Sequence, residues 1–192
     1  MIKKAICIVM CLAIAFLMTA CGVETPQEET QSIVFTKRFL MVVDVSPEEW
    51  IEDLNNMGAN QYERLYVNDD NEAVTMEVTA EQREYWLSVV EKGLNNLQKE
   101  ITALNDDYKI TYSSNYTHID IYYNPEMPLP DAGYYVVYAD AFCIFGQLLN
   151  GVDAAGWFVS CNIYNSDTGK LVTSGDSETG LYYDTDDWEA SK

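Results

Sequence analysis

The sequence predicts an α+β domain. It reads as a largely antiparallel, mixed sheet of about six or seven strands, in the order β-α-β-β-α-β-β-α-β-β, packed with three helices. Three observations predict it. Runs of period-two alternation recur along the chain, as where Val74, Met76 and Val78 alternate with Thr75, Glu77 and Thr79. Two stretches of helical spacing open behind residue pairs able to form capping boxes, Ser46 with Glu49 and Thr79 with Gln82. Turn residues join alternating runs in pairs, so hairpins dominate and neighbouring strands run antiparallel.

Taken in order, the run FTKRFLMVVDV at 35–45 puts Phe39, Met41, Val43 and Val45 on one face and Leu40 and Val42 on the other. Apolar residues on both faces read as an interior strand. In SPEEW, Ser46 caps, Pro47 suits the first helical position, and Trp50, Ile51, Leu54 and Met57 form one stripe. A hairpin follows at 61–79, with its turn at 68–71. Thr79 then opens the longest helix, whose stripe runs Trp86, Val89, Val90, Leu94, Leu97, Ile101 and Leu104. Strands at 108–112 and 116–123 end at Pro125, Pro128 and Pro130. The stretch 131–150 is apolar almost all round, as a membrane span would be. Asp140 and Gln147 in its middle are costly in lipid and favour a buried core helix, capped by Asp131 and stopped at Gly151. A last hairpin turns at Asp167-Thr168-Gly169, with Trp157, Val159, Cys161 and Ile163 on its inner face.

Around this domain, placed at 33–175, three further segments are expected. Residues 1–20 read as a signal peptide. Lys3 and Lys4 are followed by an apolar run to Leu17 and then by small residues. Thr19, Ala20 and Cys21 resemble a bacterial lipobox, in which the cysteine sulfur receives a diacylglycerol and becomes the new N-terminus. Cys21 is then a lipid attachment site, and two acyl chains suffice for stable anchoring on the extracytoplasmic face of the cell membrane. Residues 21–32 are polar, contain Pro26 and read as a short tether. Residues 176–192 read as an acidic tail that frays.

VSPEEWIEDL, VNDDNEAVTMEVTAEQ, a long helix, an apolar helix ending QLLNG, and NIYNSDTGKLV stand in that order. The set resembles a group of uncharacterised membrane-anchored lipoproteins of Gram-positive bacteria, each a lipobox signal followed by a single α+β domain. The shared motifs are caps and turns. The resemblance implies placement and fold and carries no activity.

The chain holds 31 Asp plus Glu against 11 Lys plus Arg, a formal charge of −20. Such a surface repels nucleic acid and anionic lipid heads and favours cationic partners such as a basic protein or peptide, divalent cations, or simply solubility. With one histidine, and with Cys143 and Cys161 far apart in sequence, the usual zinc spacings are absent. A disulfide between those two cysteines is compatible with an exported protein. The oxygen-rich runs at 68–72 and 184–187 lack the EF-hand pattern and read as a turn and a tail. No cofactor is expected.

His118 is the one residue suited to acid–base chemistry near pH 7. By strand parity it shares a face with Asp120, Tyr116 and Tyr122, and these four are the candidate binding residues. Two functions follow from different classes. One is a membrane-tethered binding or accessory module for a basic partner. The other is a hydrolase of cell-wall or peptide substrates centred on His118 and Asp120, with Ser113 or Ser114 in reach. No nucleophile elbow or glycine-rich oxyanion loop accompanies that pair, which favours the binding module.

Overall fold

The computed structural model describes residues 29–68 and 72–192. The expected signal at 1–20, Cys21, the tether as far as residue 28 and the tip of the first hairpin lie outside the described residues. Among the described residues seven strands and five helices follow one another: β1 (Gln31–Phe35), α1 (Lys37–Val43), α2 (Pro47–Gly58), β2 (Arg64–Asn68), β3 (Ala73–Val78), α3 (Ala80–Leu104), β4 (Lys109–Tyr112), β5 (His118–Tyr123), α4 (Leu129–Leu149), β6 (Ser160–Asn165), β7 (Leu171–Asp176) and α5 (Thr185–Ala190).

The α+β class and the strand number agree with the sequence, but the strands form two sheets instead of one. A three-stranded antiparallel sheet has the order β1-β3-β2, and a four-stranded mixed sheet has the order β4-β5-β6-β7. In the second, only β5 and β6 run parallel. Parallel strands need a long crossover, and α4 supplies it. α3 and α4 pack together and bridge the sheets: α3 touches β3 and β4, and α4 touches β1 and β5.

Both capping boxes form as the sequence predicts. Ser46 Oγ accepts from Glu49 N while Glu49 accepts from Ser46 N, and Thr79 and Gln82 do the same at α3. α4 begins at Leu129 without a side-chain cap, and it ends at Asn150 with Gly151 at φ +83°. Its span Asp131–Leu149 is long and apolar enough to cross a membrane by composition, but most of it is buried within the protein. Gln147 is buried and fully used: it donates to Tyr116 O and Phe158 O and accepts from Phe158 N. Cys143 and Cys161 are buried free thiols.

Three expectations are corrected. The segment 35–45 is not a strand: β1 ends at Phe35 and α1 follows. β1 also begins at Gln31, inside the segment assigned to the tether. Phe39 and Leu40 are adjacent and both buried, whereas Met41 beside them is 73% exposed, a pattern only a helix produces. The cause is tertiary. In the helix Phe39 reaches an aromatic cluster, its ring 5.2 Å from Phe35 and 5.1 Å from Trp50, with Phe145 of α4 5.1 Å from Phe35. Each such burial is worth about 1.5–3 kcal/mol, more than the strand propensity of two valines.

The acidic tail does not fray. Asp184 caps α5 by accepting from Asp186 N and Asp187 N, and Asp187 returns a bond to Asp184 N. Trp188 is buried against Tyr123 and Tyr183, whose hydroxyls bond to each other at 2.6 Å. Ser191 accepts from Asn165 Nδ2 and, through its carbonyl, from Thr168 Oγ1. The Asp184 and Asp187 carboxylates are capping groups, and no cluster able to hold a metal ion is found among the described residues.

Candidate functional site on the open face of the four-stranded sheet

Along β5 and β6 buried and half-exposed residues alternate. The buried set, Ile119, Ile121, Tyr123, Cys161 and Ile163, faces the helices. The other set faces outward. Because β5 and β6 pair in parallel with His118 opposite Ser160, Asp120 opposite Asn162 and Tyr122 opposite Tyr164, the outward residues form two aligned rows.

These rows are bonded to one another. His118 Nε2 lies 2.9 Å from Asp120 Oδ1, and His118 Nδ1 lies 2.7 Å from Ser160 Oγ. Asn162 Nδ2 donates to the same Asp120 oxygen at 3.0 Å. An ionised carboxylate only accepts, so Nε2 carries a proton. In the neutral ring Nδ1 is then the acceptor for the Ser160 hydroxyl. Thr117 O, 3.2 Å from Ser160 Oγ, competes for that proton. Beyond this quartet Tyr122 and Tyr164 stack at 4.8 Å, and Lys109 Nζ stands 4.0 Å from the Tyr122 ring centroid. Burial raises the Tyr122 phenol above its usual value, and the charge of Asp120 adds to the effect. The His118 and Asp120 side chains are 37% and 23% exposed, so the network is reachable from solvent without being washed by it.

Of the four candidates from the sequence, His118, Asp120 and Tyr122 do share this face. Tyr116 does not. It lies in the β4–β5 turn at φ +60°, buried, with its ring over Gly146 of α4 and stacked near Tyr112. β5 therefore starts two residues later than its alternation suggests. Neither Ser113 nor Ser114 supplies the hydroxyl at the imidazole. Ser113 Oγ instead accepts from the backbone N–H of Thr117 and His118. The serine at the ring is Ser160.

Ser160, Asn162, Tyr164 and Lys109 were missed. Their outward parity is legible: Ser160, Asn162 and Tyr164 alternate with the inner residues of the last hairpin, and Lys109 precedes the buried Ile110 on β4. What brings Ser160 to His118 is the parallel pairing across α4, and no local pattern encodes that pairing.

A serine, an imidazole and a carboxylate in line can in principle pass a proton. Acyl transfer also needs donors for the developing oxyanion. Ser160's own N–H is bound to Thr117 O at 3.0 Å, inside a strand instead of at an exposed elbow. As it stands, the quartet satisfies itself and presents hydroxyl, amide, imidazole and phenol edges to solvent. Compared with known proteins, the chain matches no family model, no curated protein and no solved structure.

Proposed function

We propose that the protein is a lipid-anchored, extracytoplasmic lipoprotein that acts as a binding or accessory module, holding a basic protein or peptide close to the membrane. The observation that carries this reading is the open sheet face: two aligned rows of half-exposed polar and aromatic side chains, cross-bonded and left partly open to solvent among the described residues. Such a face is pre-ordered for recognition, so little side-chain entropy is lost on binding. The formal charge of −20 supports a cationic partner, and Cys21 supports attachment through two acyl chains. The test is titration of the purified protein with lysine-rich and glutamate-rich peptides of equal length. Binding of the lysine-rich peptide alone, weakened by salt and by Asn162→Ala, is expected. Equal binding of both peptides refutes the reading.

A second reading is favoured by the two distances at His118. In a hydrolase of cell-wall or peptide substrates, Ser160 Oγ attacks an acyl carbonyl and its proton passes to His118 Nδ1. That proton then leaves with the departing alcohol or amine, and water releases the acyl group from Ser160. Asp120 holds the ring. A serine-directed fluorophosphonate and a panel of ester, peptide and glycoside substrates separate the readings. The binding module gives neither labelling nor turnover. Labelling that disappears in both Ser160→Ala and His118→Ala establishes the hydrolase.

A further inference from the structure

Away from the sheet face, α1, α2 and α4 enclose a cleft of about 270 Å³. Its floor is apolar and includes Trp50, Met57, Ala141, Phe142 and Phe145. Trp50 is 7% exposed, and its indole N–H finds no acceptor among the described residues. An exposed strip of α4, Tyr134, Val137 and Tyr138, runs up to the opening, and Tyr138 forms part of its wall. Asp53 lines the cleft and makes its rim acidic, with the exposed Glu52 next to it on α2, while Glu49 one turn earlier is bound to Ser46 N. No lysine or arginine occurs between Arg38 and Arg64, or between Lys109 and Lys170. α2 and α4 therefore offer Asp53 no base, and on α1 Lys37 pairs with Glu72 and Arg38 stacks on Trp157. Its carboxyl is raised above the usual range by burial and by the charges of Glu52 and Glu49, so an incoming cation relieves an existing repulsion.

We propose that this cleft is a docking site for a basic peptide segment, taking one large apolar side chain against Trp50 and Phe145 while flanking lysine or arginine side chains meet Asp53 and Glu52. The proposal rests on the binding-module reading and gives its basic partner a second requirement, an apolar anchor. Size and charge both select this occupant. The volume holds one bulky side chain and little more, and a neutral or anionic ligand would leave the Asp53 and Glu52 carboxylates unanswered.

The probes are short lysine-rich peptides with a single central phenylalanine, with serine in its place, or with the lysines changed to glutamate. Each is titrated calorimetrically into the full chain in phosphatidylcholine nanodiscs, so that no free detergent enters the cleft. The phenylalanine peptide is expected to bind roughly tenfold or more tightly than the serine peptide. Ala141→Leu, which fills the floor, removes that difference and leaves the serine peptide unchanged. Asp53→Asn, at an exposed position that does not threaten folding, weakens the phenylalanine peptide severalfold and flattens its salt dependence. Equal affinity for the phenylalanine and serine peptides overturns the docking site while the binding-module reading stands. Failure of both lysine peptides to bind overturns that reading and the docking site with it. Tight binding of the glutamate peptide overturns the role of the acidic rim.

Discussion

Replacing Asp140 by asparagine is expected to stabilise the protein at neutral pH and to leave it unchanged in acid. Asp140 sits on α4 among buried groups and accepts no hydrogen bond among the described residues. Burial pushes its carboxyl up to about 7, against an ordinary value of 3.8, and the Arg38 guanidinium pulls the other way without cancelling it. Arg38 is itself committed elsewhere, stacked 3.7 Å from the Trp157 ring centroid and donating to Ser177 O. Folding thus favours the protonated acid. The stability this group contributes is fully present below pH 3.8 and is lost as pH rises to about 7. A gap of roughly three pH units at about 1.4 kcal/mol per unit amounts to about 4 kcal/mol. Asparagine keeps the shape and removes the ionisation, and Arg38 retains its other two contacts. The expected gain at pH 8 is about 2–4 kcal/mol. Urea denaturation of both proteins between pH 4 and pH 8 reads it, since other titrating groups cancel in the difference. A difference that stays constant with pH, or a variant less stable at pH 8, refutes the reasoning.

Other perturbations have definite outcomes. Gly146→Ala puts a Cβ 2.7 Å from the buried Tyr116 ring, so thermal denaturation should show a loss of about 1–3 kcal/mol where helix propensity alone predicts a gain. Trp188→Ala should cost about 3–5 kcal/mol in chemical denaturation, because the ring packs on Tyr123 and Tyr183. Ser46→Ala removes the acceptor for Glu49 N and should cost about 1 kcal/mol, read in the same assay. Cys21→Ser should move the protein from the membrane fraction to the soluble fraction after signal cleavage, checked by fractionation and immunoblotting.

Local chemistry was legible wherever it decides structure alone. The Ser46–Glu49 and Thr79–Gln82 boxes form as written, and both hairpins and the long helix fall where their spacing puts them. The failures share one cause. At 35–45 a two-residue period and a short helix compete, and the partners that decide, Trp50 and Phe145, lie on other elements. At 184–191 an acidic composition suggested a solvated end, yet the carboxylates cap and Trp188 is buried. The candidate site divides in the same way. Parity within β5 gave His118, Asp120 and Tyr122. Ser160 and Asn162 became visible only with the β5–β6 pairing, and Tyr116 was lost to a turn that strand parity does not register.

The docking of Ser191 has a consequence for biogenesis. Asn165 and Thr168, which shape the β6–β7 turn, complete their bonding on Ser191, far along the chain, and the Tyr123 ring packs against Trp188. A polypeptide that leaves the ribosome N-terminus first can pair the three-stranded sheet, whose strands all lie before residue 79, while the rest is still being made. The four-stranded sheet must wait for residues 184–191, which complete its packing. The half of the molecule bearing His118 and Ser160 therefore matures after the half bearing β1, β2 and β3.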